Sequence, residues 1–145
     1  MNRTDTLTDF DVEQTLGFRI AKARRRLYAR FRDVFAPYGL TPPQFGIYAR
    51  LWKRDGVSQK ELSAWSEMDR TTICGVIDRL AAAGLVERRP HPDDRRAYLI
   101  YLTEQGRALQ PEIAEVARKA QAGFTARLTP EELDTLNLLL DKIRV

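Results

Sequence analysis

Residues that usually carry metal or nucleophilic chemistry are nearly absent: the chain has one cysteine, Cys74, and one histidine, His91. That pair cannot complete a structural zinc site. A lone thiol excludes an intramolecular disulfide and suits a reducing cytosol. No glycine-rich phosphate loop occurs, and Ser58 and Ser66 have no histidine near them in sequence. Neither enzymatic activity nor a cofactor is therefore expected. Long apolar runs are also missing, since none approaches the ~18 residues that span a bilayer. The start, MNRTDTLTDFDVEQ, is polar and acidic, without a signal-peptide core. These absences predict a cytoplasmic protein with no membrane partner.

What is present is charge, and caps for helices. Charged residues make up 30% and hydrophobic residues 43%, the balance of a globular chain. Twenty-four Lys and Arg against 20 Asp and Glu leave a net charge of +4, a mild bias toward a polyanionic partner. Thr41-Pro42-Pro43-Gln44 places an N-cap Thr, a Pro in the first turn and a Gln able to close a capping box. Ser58-Gln59-Lys60-Glu61 and Thr129-Pro130-Glu131-Glu132 repeat that form, and Asp69 and Thr103 are plausible simple caps.

Between these starts the apolar residues recur at helical spacing. Leu16, Ile20, Ala23, Leu27, Phe31 and Val34 predict one long helix from about Phe10 to Phe35. Phe45, Tyr48, Leu51 and Trp52 mark a second helix. Leu109, Ile113, Val116, Ala120 and Phe124 mark another long one, and Leu133, Leu136, Leu140 and Ile143 the last. One region departs from this period. YLIYLT, Tyr98 to Thr103, is rich in aromatic and β-branched residues, as strands are. Leu85 to Arg89 precedes it across Pro90-His91-Pro92-Asp93-Asp94, a turn-forming stretch. The pair predicts a β-hairpin with Arg95 and Arg96 at its tip. The fold class is therefore mainly α with a small β-hairpin wing.

A short helix from Ser58 to about Trp65, a turn at Ser66-Glu67-Met68 and a helix from Asp69 to about Ala83 precede that hairpin. This is the plan of a winged helix-turn-helix, over residues 41–103. In the second helix Ile73, Val76, Ile77 and Leu80 should face the core. Thr71, Gly75 and Asp78 lie opposite, flanked by Cys74 and Arg79, with Arg70, Thr71 and Thr72 in the first turn. Small uncharged residues there, where a solvated face usually carries Lys and Glu, favour a face that enters a major groove N-terminus first. Arg suits guanine, and Thr several base edges. Gly75 costs roughly 1 kcal/mol in a helix relative to Ala, which a close approach of DNA would explain. Arg88, Arg89, Arg95 and Arg96 put four guanidinium groups on one ribbon that can reach phosphates or a minor groove. Candidate duplex-DNA contacts are Ser58, Gln59, Arg70, Thr71, Thr72, Gly75, Asp78, Arg79, Arg88, Asp94, Arg95 and Arg96. His91 is read as an incidental tip residue or a phosphate contact.

From Gly39 to Gly106 the chain resembles the MarR family, in GLTPPQFGIYARL, SQKELS and DRTTICGVIDRLAAAGLVERRPHPDDRRAYLIYLTEQGR. The flanking helices fit as well. The resemblance implies a transcriptional regulator, a wing whose Arg96 reads a minor groove while Asp94 orients it, and an intertwined homodimer. Arg95 lies between those two, which leaves open which Arg inserts. Cys74-Gly75 stands where larger polar or basic residues are often found. Residues 9–38 and 104–145 are then the dimerisation helices. Seven cations, Arg19, Lys22, Arg24, Arg25, Arg26, Arg30 and Arg32, fall within fourteen residues that hold no acid. They form either a solvated face or part of an effector pocket. In the pocket reading Lys22, Arg25 and Arg26 meet a small anionic aromatic ligand, and Phe45, Tyr48 and Trp52 supply walls or simply pack in the core. The function expected is a ligand-responsive repressor. The alternative is a redox-responsive or ligand-independent DNA-binding regulator, with Cys74 as the candidate thiol.

Overall fold

A computed structural model describes residues 9–144. Residues 1–8, most of the polar start read above, and residue 145 lie outside the described residues. The described residues form seven α-helices and three short strands in this order: α1 Leu16–Phe35, α2 Pro42–Lys53, β1 Val57–Ser58, α3 Gln59–Ser66, α4 Arg70–Ala82, β2 Val86–Pro90, β3 Tyr98–Leu102, α5 Glu104–Ala108, α6 Gln110–Phe124 and α7 Pro130–Arg144.

The caps act where the sequence places them. The Gln44 carboxamide accepts the Thr41 N–H at 3.1 Å and closes the box that starts α2. At α3 the Ser58 N–H donates to Glu61 Oε2 and the Glu61 N–H to Ser58 Oγ, both at 3.1 Å. Thr103 caps α5, and Thr129 accepts the Glu132 N–H before α7. Two expected helices differ from their expected spans. The first begins at Leu16, after a 3-10 turn at Val12–Gln14, because Thr15 caps it by accepting the Phe18 N–H. The long helix after the hairpin divides at Leu109 into α5 and α6. Pro111 has no N–H for the carbonyl four residues back, which ends the continuous ladder there.

The core lies where α2, α3, α4 and the sheet meet. Ile47, Leu51, Leu62, Ile73, Val76, Ile77, Leu80, Leu85, Ile100 and Leu102 are all buried there, with Ile113 of α6 and Phe35 of α1. The inward faces expected of α3 and α4 are thus the observed ones. The hairpin becomes part of a three-stranded antiparallel sheet of order β1-β3-β2, in which Val57 pairs with Ile100. Beyond this core, α1 buries only Phe35 and α7 buries no side chain. Leu136, Leu139, Leu140 and Ile143 are left exposed on α7, as are Leu16 and Ile20 on α1.

Candidate nucleic-acid interface

Helix α4 starts at a tight turn. Glu67 adopts φ 60°, the only described residue other than glycine in the left-handed region. The turn is held by Ser63 and Ser66, whose hydroxyls bond the backbone of Met68. Asp69 then accepts the Thr72 N–H at 2.7 Å and caps α4. That hydrogen bond holds its carboxyl below the ordinary carboxylate value.

The outer face of α4 is as expected: Arg70, Thr71, Thr72, Cys74, Asp78 and Arg79 are exposed and Gly75 half-buried. A side chain built at Gly75 would meet no other atom within 4 Å, so packing within the chain does not require glycine there. Opposite the start of α4 lies the wing tip. Ser58, Gln59, Lys60, Arg70, Asp94, Arg96 and Tyr98 line one cleft of about 330 Å³. The N-terminus of α3, the first turn of α4 and the wing thus converge, with Lys60, Arg70 and Arg96 as its cations. Sequence reasoning missed Lys60 and Tyr98. Lys60 was legible as the second residue of a capped helix, a position whose free N–H groups favour anions.

The four wing arginines fall into two pairs. Arg88 reaches Asp78 at 2.6 Å and Gln59 Oε1 at 3.0 Å. Arg89 bonds Glu87 and lies over the Tyr101 ring, 4.1 Å from its centroid. Arg95 and Arg96 form no ion pair among the described residues, and both are exposed. Asp94 accepts the backbone N–H of Arg96 at 2.9 Å, so it orders the tip through the main chain and not through the guanidinium. His91 is a turn-builder, its Nδ1 accepting the Asp93 N–H at 3.0 Å.

The expected effector residues are not brought together as one wall. Tyr48 is fully buried, and its hydroxyl donates to the Gly106 carbonyl, so it belongs to the core and is removed from the pocket set. Phe45 stacks on Phe35 at 4.5 Å and meets Trp52 edge-on at 5.9 Å. Lys22 lies over Phe18, and Arg25 lines a separate groove with Arg24, Tyr28 and Arg32. Trp52 keeps one unusual feature: its indole N–H is buried without a well-formed hydrogen bond among the described residues, with only the Tyr48 hydroxyl as a weak partner. Cys74 is exposed, its Sγ 3.9 Å from Arg88 Nη2. Among the described residues no group of His, Cys, Asp and Glu is placed to hold a metal, and no helix is long and apolar enough to cross a membrane.

Comparison with known proteins bears on the same region. Residues 40–98 match the model of the MarR family. The chain is 33% identical to the HTH-type transcriptional repressor NicR of Pseudomonas putida over 136 residues, 94% of this chain and 86% of that one. Among solved structures, BpsR of Bordetella bronchiseptica, whose DNA binding is regulated by 6-hydroxynicotinic acid, superposes with a TM-score of 0.85 at 29% identity, covering 93% of this chain and 96% of that one. A variant of MarR from E. coli complexed with operator DNA superposes with a TM-score of 0.84 at 26% identity, covering 92% and 99%. With its capped α4, its β-hairpin wing and these likenesses along nearly its whole length, the chain belongs to the MarR family of transcriptional regulators.

Proposed function

We propose that the protein is a homodimeric repressor that reads duplex DNA and releases it on binding a small anionic aromatic effector. The cleft between the start of α3, the start of α4 and the wing carries the DNA reading. Its three cations converge from separate elements beside the small-residue face of α4, where a groove edge and a phosphate fit together. Residues 41–103 form the reading module. Arg70, Thr71 and Thr72 face bases with Gly75 and Arg79 behind them, Ser58 and Lys60 face phosphate, and Arg95 and Arg96 extend along the backbone or into the minor groove. The apolar face of α7 and the start of α1 are closed by a second copy, because helices with such a surplus bury it against a partner. The chemistry of the two faces agrees: α1 carries the basic run, while α7 offers Glu131, Glu132, Asp134 and Asp141.

The effector reading rests on two observations. BpsR answers to an aromatic acid, and the buried Trp52 N–H is poorly paired, with only the Tyr48 hydroxyl as a weak partner. A buried donor without a partner costs free energy that a ligand carboxylate or ring oxygen would recover. Phe45 and Trp52 supply the apolar side; Lys22, Arg25 and Arg26 stand apart from that wall within the protomer and serve as cations along the approach from α1.

The test has two stages. Selection from a random duplex pool should enrich one sequence class, whose binding weakens steeply as salt rises; no enrichment would reject DNA reading. 6-Hydroxynicotinic acid is then titrated onto the free protein and onto the DNA complex. Ligand and DNA should weaken each other by the same factor, typically 1–3 kcal/mol of coupling. Equal ligand affinities in the two titrations would reject release by this compound class.

A further inference from the structure

Four arginines on one ribbon invite a single role, but strand parity divides them. Successive side chains of a strand point to opposite faces. The register pairs Val86 with Leu102 and Arg88 with Ile100. Val86, Ile100 and Leu102 are buried, so Arg88 stands on the inward face of the sheet, toward α3 and α4. Arg89 pairs with Leu99 on the opposite face.

On that inward face the Arg88 guanidinium has partners on two further elements. Its Nη2 lies 2.6 Å from Asp78 Oδ1 and 3.4 Å from the Cys74 carbonyl, one turn apart on α4. Its Nε donates to Gln59 Oε1 at 3.0 Å, in the first turn of α3. The side chain is 24% exposed, against 60% for Asp78. One planar fork therefore ties the wing strand, the reading helix and the helix before it. A lysine, with its donors on a single nitrogen, cannot reproduce that geometry.

Building on the DNA-reading assignment, we infer that Arg88 is a positioning residue: it sets the wing against the reading helix through Asp78 and Gln59, and does not itself neutralise a phosphate. Asp78 is part of the same device. An acid on a DNA-facing helix repels the backbone, and its place on α4 is explained by the guanidinium it holds. Gln59 likewise acts through Arg88 and not through a base.

The two roles separate by salt dependence and by the sign of one substitution. Each phosphate contact contributes about one unit to the slope of log K against log salt. A duplex selected by the wild-type protein and a random duplex serve as probes. Arg88→Ala and Arg88→Lys should each weaken the selected duplex at least about fivefold and shrink its preference over the random one, with the slope unchanged. Asp78→Asn should also weaken the selected duplex, although it removes a negative charge from the interface.

Arg88→Lys binding like the wild type, or a slope lowered by about one in Arg88→Ala, would overturn the assignment. So would tighter binding by Asp78→Asn, the outcome expected of a mere repelling charge. Asp78 is largely exposed, so its variant remains informative if Arg88→Ala fails to fold. Thermal melts give the control, because a role confined to stability would lower the melting temperature while leaving the selected-to-random ratio of the folded fraction intact. That result also overturns the inference. A wild-type protein that selects no duplex would reject DNA reading itself, and this assignment with it.

Discussion

Arg96 and Gly106 show how differently single residues bear on this molecule. Arg96 is exposed at the wing tip without an ion-pair partner among the described residues, and only its backbone is restrained, by Asp94. Arg96→Ala should leave the melting temperature near that of the wild type. It should cost ~1–3 kcal/mol of binding to a selected duplex and, if the side chain meets a phosphate, lower the salt slope by about one. Unchanged affinity at matched salt would remove Arg96 from the reading set. Gly106, by contrast, is buried. A methyl group there would lie 2.1 Å from the Leu85 carbonyl oxygen, a backbone atom that cannot swing aside. The same glycine's carbonyl accepts the buried Tyr48 hydroxyl. Gly106→Ala should therefore destabilise the fold by about 1–3 kcal/mol or more, as overpacking does. A denaturant midpoint equal to that of the wild type would contradict the close approach.

At the scale of elements, α4 depends on a cap that titrates. Thr72 donates its N–H to the Asp69 carboxylate and so lowers the carboxyl's folded value beneath 3.8. A lowered acid stabilises the folded state in full above its unfolded value, and the contribution is lost as pH falls through the lowered one. The wild type should lose stability from about pH 4 downward partly through this cap. Asp69→Asn, which keeps a capping acceptor, should show a shallower acid limb; identical limbs in urea titrations would discount the cap. Starts of this kind were legible because a capping box is written within four residues, as at Thr41 and Ser58. The inward faces of α3 and α4 were legible for a similar local reason, their period. β1 was not: two residues carry no pattern, and Val57–Ser58 is a strand only because β3 lies beside it. The break at Pro111 and the cap at Thr15 were written in the sequence, but the first lay within an apolar stripe and the second just before one, and neither was read. At the wing, composition grouped Arg88 with Arg95 and Arg96 as DNA contacts. Alternation against Val86, Ile100 and Leu102 would have set Arg88 apart, but it needs the register of two strands. Tyr48 was misplaced in the pocket set for a different reason: helical spacing puts it on a face without saying what covers that face.

For the whole molecule, the exposed apolar face of α7 is the main unresolved surface. The proposed dimer predicts sedimentation at twice the 16.7 kDa chain mass at micromolar concentration. A Leu136→Glu, Leu140→Glu double variant should shift toward the single chain and lose duplex binding, because two wings must act on one duplex. A wild-type protein that sediments as a single chain would reject this interface. The fifteen residues of α7 bury no side chain within the protomer, and short helices without a packed face are marginal in water. On the proposed dimer, that final helix is secured only when two chains meet. At low expression the supply of reading-competent protein would then rise with the square of the chain concentration. In that regime, halving the synthesis of such a repressor leaves about a quarter of the assembled dimer, so gene dosage and dilution at cell division become signals in their own right.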